Sequence, residues 1–150
     1  MELTEIIQRI RKAKTAHLGW VNRARALING IPVDHEKIPV MPTDCVFGAW
    51  YYGEGQPLKQ LESFMAIEAP HNELHKIYAE IFNLLFEKTK PSLVSKLTGG
   101  YKRKKAENML VAQSRFHDLQ QSSNVIITKL GLLERELRHM PAEDLAYLFK

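Results

Sequence analysis

The chain has 150 residues, of which 45% are hydrophobic and 25% are charged, a composition typical of one soluble globular domain. It lacks an apolar run of about 18 residues, and its N-terminal stretch mixes charged and apolar residues, so we expect no transmembrane helix, no secretory signal and a cytoplasmic location. The net charge of +4 permits an acidic partner without requiring one, and a single cysteine, Cys45, excludes an intrachain disulfide.

The first predicted element is a helix over residues 3 to 28. Its apolar residues recur every three or four positions, which is typical of a helix in a bundle. They are Leu3, Ile6, Ile10, Ala13, Trp20, Ala24 and Leu27. His17 fills the missing step between Ala13 and Trp20, so we expect its side chain to point into the bundle.

A segment with three prolines follows between residues 29 and 42, and it predicts a loop of about 15 residues. Helix is expected to resume after it, with Thr43 or Asp44 as the N-cap and Cys45 in the first turn. Gly53 predicts the end of this short helix, and another short helix is expected shortly after it.

The next helix is predicted to open at Pro70, because proline is favoured in the first turn. Both of its histidines fall on its apolar side. That side comprises His71, Leu74, His75, Tyr78, Phe82 and Leu85, with Ile81 beside it. A short helical piece is expected between Pro91 and Gly99.

From about Tyr101 to Met140 the sequence has no proline and one glycine, which predicts a long helix. Its apolar face is marked by Leu110, Phe116, Leu119, Ile126, Leu130, Leu133 and Leu137. No strand is predicted. We therefore expect an all-α, four-helix-bundle-like domain over residues 1–140, with a short Cys-bearing helix and a long C-terminal helix, followed by a short amphipathic segment over residues 141–150.

The run "HNELH", residues 71 to 75, looks like a zinc-protease signature with its glutamate displaced. Those enzymes need the glutamate directly after the first histidine. Glu73 lies two residues from each histidine and, at about 100° per residue, points roughly 200° away from them. It cannot act as their general base, so we exclude the protease and expect no enzymatic activity.

A metal site without catalysis fits the same residues better. His71 and His75 lie one turn apart and can share a tetrahedral metal, although such a pair alone is more often packed or solvated. With His17 and Cys45 also pointing inward, a metal site becomes more favoured than a packed or solvated pair. Buried polar groups need partners, and zinc prefers nitrogen and sulfur ligands. Four protein ligands would leave no position for a catalytic water, and the histidine helices lack the inward carboxylates of a di-iron bundle.

The hexapeptide "CVFGAW", residues 45 to 50, resembles the Cys-x-Phe-Gly-x-Trp signature of the chemoreceptor zinc-binding domain family. In that family a histidine precedes the hexapeptide and a His-x-x-x-His pair follows it. Here those positions match His17, which lies 28 residues before Cys45, and His71 and His75. The resemblance covers about residues 5 to 85 and extends to about residue 135 along the predicted long helix.

The resemblance implies a cytoplasmic regulatory domain that binds zinc through His17, Cys45, His71 and His75 and often forms homodimers. Such domains usually accompany chemotaxis transducer or diguanylate cyclase modules, so a chemotaxis or cyclic-di-GMP signalling partner is expected. Neither module is attached within these 150 residues. Whether the chain is a whole protein or a piece of one stays open.

Two alternatives remain. A zinc thiolate is oxidisable, and a helix N-terminus should favour the thiolate of Cys45, so oxidant sensing through Cys45 is the first. A metal-free helical interaction module is the second. Gly48 either allows a close approach of another segment or is merely tolerated.

The remaining polar features have simpler interpretations. The basic run from Lys102 to Lys105 resembles a nucleic-acid patch, but one short cluster is weak support, so we expect a solvated helix start and neither a nucleic-acid nor a membrane partner. His35, His117 and His139 lack a matching context and are expected outside the site.

Overall fold

The computed structural model describes residues 2–31, 41–86 and 91–150, and none of these residues lies in a strand. The helices are α1 (Leu3–Ile28), α2 (Val46–Tyr52), α3 (Glu62–Met65), α4 (Glu68–Phe86), α5 (Leu93–Leu97), α6 (Gly100–His139) and α7 (Ala142–Leu148). Two 3-10 turns, Pro42–Asp44 and Gln56–Gln60, flank α2. The predicted all-α bundle with a short Cys-bearing helix and a long C-terminal helix is confirmed.

The long helix α6 is the common packing partner of α1 and α4. Asn108 of α6 donates a hydrogen bond to the Leu84 carbonyl near the end of α4, and Ser122 donates one to the Pro70 carbonyl near its start. Helices α4 and α6 therefore run antiparallel. Arg11 and Lys14 of α1 form ion pairs with Glu134, and Arg25 lies over the ring of Phe116, so α1 is antiparallel to α6 as well.

The apolar stripe predicted for α6 is correct except at its N-terminal end. Leu110 is 67% exposed, whereas Ala112 is the first fully buried residue of the helix. The prediction for Leu110 was wrong because Leu110 lies on the opposite face of α6, two residues or about 200° of helical turn from the buried Ala112. Helical periodicity therefore excludes Leu110 from the buried stripe that includes Leu119, since nine residues correspond to about 180°.

The limits of the other long helices are close to those predicted. Helix α1 spans Leu3–Ile28, as expected, and is followed by Gly30 in a left-handed conformation. Helix α4 begins at Glu68, so the predicted start at Pro70 was wrong by two residues. Its deeply buried apolar residues include Leu74, Ile77, Tyr78 and Ile81, whereas Phe82 and Leu85 are only half-buried.

The short elements close the bundle beside α2 and α6. Helix α5 lies where the short helical piece was expected, and α7 packs against the Gln56–Gln60 turn with Leu145 buried. No helix in the described ranges is both long enough and apolar enough to cross a lipid bilayer. His35 and most of the predicted loop lie outside the described residues.

Candidate metal centre

Four potential metal ligands converge between α1, α2 and α4. The donor atoms of His17, Cys45, His71 and His75 all lie within 4.8 Å of one another. None of these residues is more than 3% exposed. Across the part of the chain that the structure describes, no second group of three or more His, Cys, Asp or Glu side chains has such an arrangement.

The histidines reach this cluster because each occupies the buried stripe of its helix. His17 lies between the buried residues Ala13 and Trp20 on α1, which confirms its predicted inward orientation. On α4 the rings of His71 and His75 are one turn apart, with centroids 4.7 Å apart and planes at 79°. Glu73, between them, is exposed and paired with Lys76, so it faces away from the site as predicted.

Cys45 enters the site as the N-cap of α2. Its backbone is extended, and its Sγ accepts a hydrogen bond from the Gly48 N–H at 3.1 Å. The same Sγ lies 3.3 Å from Nε2 of His71. The prediction of Thr43 or Asp44 as N-cap, with Cys45 in the first turn, was therefore wrong, because both residues belong to the preceding 3-10 turn.

Gly48 is required by a close approach of backbone, which decides between its two interpretations. A Cβ at this position would overlap the carbonyl oxygen of Pro42 and would lie 3.3 Å from Sγ of Cys45. The 3-10 turn that holds Pro42 therefore packs directly against the first turn of α2. Sequence reasoning did not identify Pro42 as part of the site, since only the folded chain brings its carbonyl to Gly48.

Residues 17–82 match the family model of the chemoreceptor zinc-binding domain. This segment is similar to a domain of that family. The matched segment contains all four residues of the cluster and ends within α4, before α6 begins. Neither a curated protein nor a solved structure matches the chain.

The donor set of this cluster fits zinc. Bonds of about 2.3 Å to sulfur and about 2.0 Å to nitrogen place the ligand atoms of a tetrahedral zinc roughly 3.3 to 3.6 Å apart. Cys45 and His71 already meet that separation, and the other donors lie within reach of it by side-chain rotation. Both ring nitrogens of His17 are buried without a hydrogen-bond partner among the described residues, a cost that a bound metal would remove.

Burial sets the protonation state of the cluster. It lowers the pKa of His17 to about 4, although the nearby Ala13 carbonyl, which is outside hydrogen-bonding geometry, partly opposes the shift. It also lowers the pKa of His71 to about 3, and repulsion from His17 and His75 adds to this effect. At neutral pH these two imidazoles are therefore uncharged and able to bind a metal.

Burial also raises the pKa of the Cys45 thiol, and the backbone N–H groups of Gly48 and Phe47 oppose this shift without overcoming it. The helix N-terminus thus favours the thiolate, as expected, but burial outweighs this contribution in the metal-free site. Desolvation penalises the anion more than two N–H groups stabilise it. Ionisation of Cys45 thus depends on a cation that binds beside it.

Aromatic rings enclose the cluster. Trp20 contacts the ring of His75 with centroids 4.5 Å apart, and Phe47 contacts that of His71 at 5.1 Å. Both aromatic residues are buried, as is Trp50 behind them. Such a shell limits the access of water and lowers the local dielectric constant around the ligands.

The remaining sequence candidates lie away from the cluster. His117 is exposed and contacts Gln121, and His139 is exposed with Nδ1 2.7 Å from the Arg135 carbonyl oxygen. The basic run from Lys102 to Lys105 is exposed in the first turns of α6.

Proposed function

We propose that this chain is a regulatory domain that binds one zinc ion through His17, Cys45, His71 and His75. The observation that carries the proposal is the convergence of three imidazoles and one thiol, from three separate elements, in a buried cluster without a carboxylate. Its donor chemistry matches the nitrogen and sulfur ligands that zinc prefers. Its place within the matched family segment agrees with it.

A closed site of this kind suits regulation better than catalysis. Four protein ligands complete a tetrahedral coordination sphere and leave no position for an activated water. When bound, zinc would supply the positive charge that stabilises the buried Cys45 thiolate. His17 would then tie α1 to the site, Cys45 would tie α2, and the histidine pair would tie α4.

The signal in this proposal is a change in the position of α2. This helix has only seven residues, and its N-terminus is tied to the cluster through Cys45, so loss of that ligand would free it to move. The change would pass through α1 and α4 to α6, or to a homodimer interface, and from there to a chemotaxis or cyclic-di-GMP signalling partner in the cytoplasm. Each of these later steps belongs to the proposal.

Oxidant sensing through zinc-bound Cys45 is a second candidate. It is favoured by the position of Cys45 on the wall of a cleft between α1 and α2. The raised pKa of the metal-free thiol argues against a reaction without zinc, because the thiolate is the reactive form. Oxidation of Cys45 should therefore require the metal, and mass spectrometry of zinc-loaded and zinc-free protein after graded peroxide treatment distinguishes the two candidates.

Metal analysis of protein purified without added zinc tests the main proposal. We expect about one zinc per chain in the wild type and in His117→Ala, which removes an exposed histidine outside the cluster. His75→Ala should lose most of the metal. Substoichiometric zinc that is equal in all three proteins would instead support a metal-free helical interaction module.

A further inference from the structure

A cleft of about 630 Å³ runs between α1 and α2 and reaches the candidate metal centre from one side. Its inner wall includes His17 and Cys45, whereas His71 and His75 do not line it. Its outer wall includes Ala16 and Lys12 of α1 and Val46 of α2, and all three are exposed. The cleft therefore connects solvent to two of the four proposed ligands.

Away from this cleft, the four proposed ligands are enclosed by protein. All four ligand residues are buried, and the rings of Trp20 and Phe47 pack against the histidines. Ions enter and leave such a site either through a preformed passage or through local unfolding. The volume of the cleft lies within the range of about 300 to 1,000 Å³ that is typical of small-molecule sites, so a zinc ion with part of its hydration shell or a small chelating ligand has room in it.

We propose that this cleft is the passage through which zinc exchanges between solvent and the metal centre. The proposal rests on the proposed zinc function. In it, an incoming ion meets His17 and Cys45 first and reaches the His71–His75 pair behind them, so His17 and Cys45 are also the ligands most open to a competing chelator. Exchange can then proceed while the bundle stays folded.

The charges at the mouth of the cleft add a second feature. Arg9 is paired with Glu54, with its guanidinium 2.8 Å from the carboxylate, and this bond links α1 to the turn after α2. Lys12 forms no ion pair among the described residues. Its positive charge opposes the approach of free Zn²⁺ and attracts anionic chelators.

Filling the mouth of the cleft tests the passage. Ala16→Trp places a large side chain on an exposed position of the outer wall, and Val46→Trp does the same from α2 if the first variant folds poorly. Asn22→Trp, at an exposed position of α1 outside the cleft, is the matched control. Zinc association and chelator-driven dissociation are measured by stopped flow, and affinity by competition with a chelator of known affinity.

The passage predicts that both rate constants fall together in Ala16→Trp or Val46→Trp, by roughly tenfold, or about 1.4 kcal/mol in activation free energy, with the Kd unchanged. Asn22→Trp should exchange zinc at the wild-type rate. Equal rates in all variants would overturn the proposal, because exchange would then follow local unfolding. Stoichiometric zinc with unchanged rates would overturn the passage alone, whereas a wild type without stoichiometric zinc would overturn the zinc function as well.

Reversing the charge at the mouth gives an independent test. Lys12→Glu should accelerate the association of free Zn²⁺ by roughly two- to fivefold at low ionic strength and slow removal by EDTA, and both effects should shrink with added salt. Lys105→Glu, an exposed position on α6 outside the cleft, is the control for the same change in net charge. Identical effects of the two variants would show that net charge alone acts, which would contradict a passage at Lys12.

Discussion

The Sγ of Cys45 lies 3.3 Å from Nε2 of His71, across the junction between α2 and α4. This contact joins the N-cap of a seven-residue helix to a residue in the first turn of a nineteen-residue one. It couples the position of α2 to the state of the metal centre.

Gly48→Ala should destabilise the protein by about 2 kcal/mol or more, because the added Cβ overlaps the Pro42 carbonyl and backbone must move to relieve it. It should also weaken zinc binding, since the same movement displaces the Cys45 cap. Urea unfolding and metal competition measure the two effects. Gly19→Ala is the control: it lies within α1, its Cβ would meet nothing within 4 Å, and it should stabilise by roughly 0.5 to 1 kcal/mol. Equal stability changes in the two variants would contradict the close approach.

The metal-free protein should lose stability as the pH falls below about 6.5. The pKa values of His17 and His71 are depressed to about 4 and about 3, so between these values and the unfolded value of 6.5 only the unfolded chain binds the protons. The unfolded state is then favoured by up to about 1.4 kcal/mol per pH unit for each histidine. Urea unfolding in EDTA at pH 7, 6 and 5 measures the slope. The slope should decrease in His17→Gln; a wild type that is equally stable at all three values would refute the assignment.

Zinc binding near pH 7 should release about one proton per chain, and that proton should come from Cys45. The imidazoles of His17 and His71 are already neutral at this pH, whereas burial keeps the thiol protonated until the metal binds. Zinc affinity should therefore decrease as the pH falls. Calorimetry in buffers of different ionisation enthalpy counts the protons. Release of no proton by the wild type would show a preformed thiolate, and Cys45→Ser should release fewer protons than the wild type and bind zinc more weakly.

Glu134→Gln should destabilise the bundle by about 1 to 2 kcal/mol without changing the zinc stoichiometry. Its carboxylate accepts hydrogen bonds from Lys14 and Arg11 of α1 and from Arg138 of α6, and its side chain is only 14% exposed. The hydrogen bond from Lys14 is the largest of the effects that lower the pKa of Glu134 to about 2. Thermal and urea unfolding measure the loss. The control is Glu73→Gln, which removes an exposed pair with Lys76 and should change stability by less than about 0.5 kcal/mol.

The local spacing of residue types was sufficient to predict most of the helices and the orientation of three proposed ligands, His17, His71 and His75. The three-and-four spacing of apolar residues predicted α1 with its observed limits and the inward position of His17. The i, i+4 spacing of His71 and His75 predicted their shared face, and the 3.6-residue period excluded Glu73 from it. These features follow from the sequence by itself because the geometry of a helix relates residues that lie only a few positions apart.

The tertiary structure decided the features that depend on residues distant in sequence or on burial. The Pro42 carbonyl makes Gly48 necessary, and Glu134 joins α1 to α6 across 120 residues. The pKa of Cys45 is the clearest case, because desolvation acts against the helix N-terminus and outweighs it. The sequence by itself gives the order of the four proposed ligands along the chain. The low-dielectric environment that determines their charge forms only once the helices have packed.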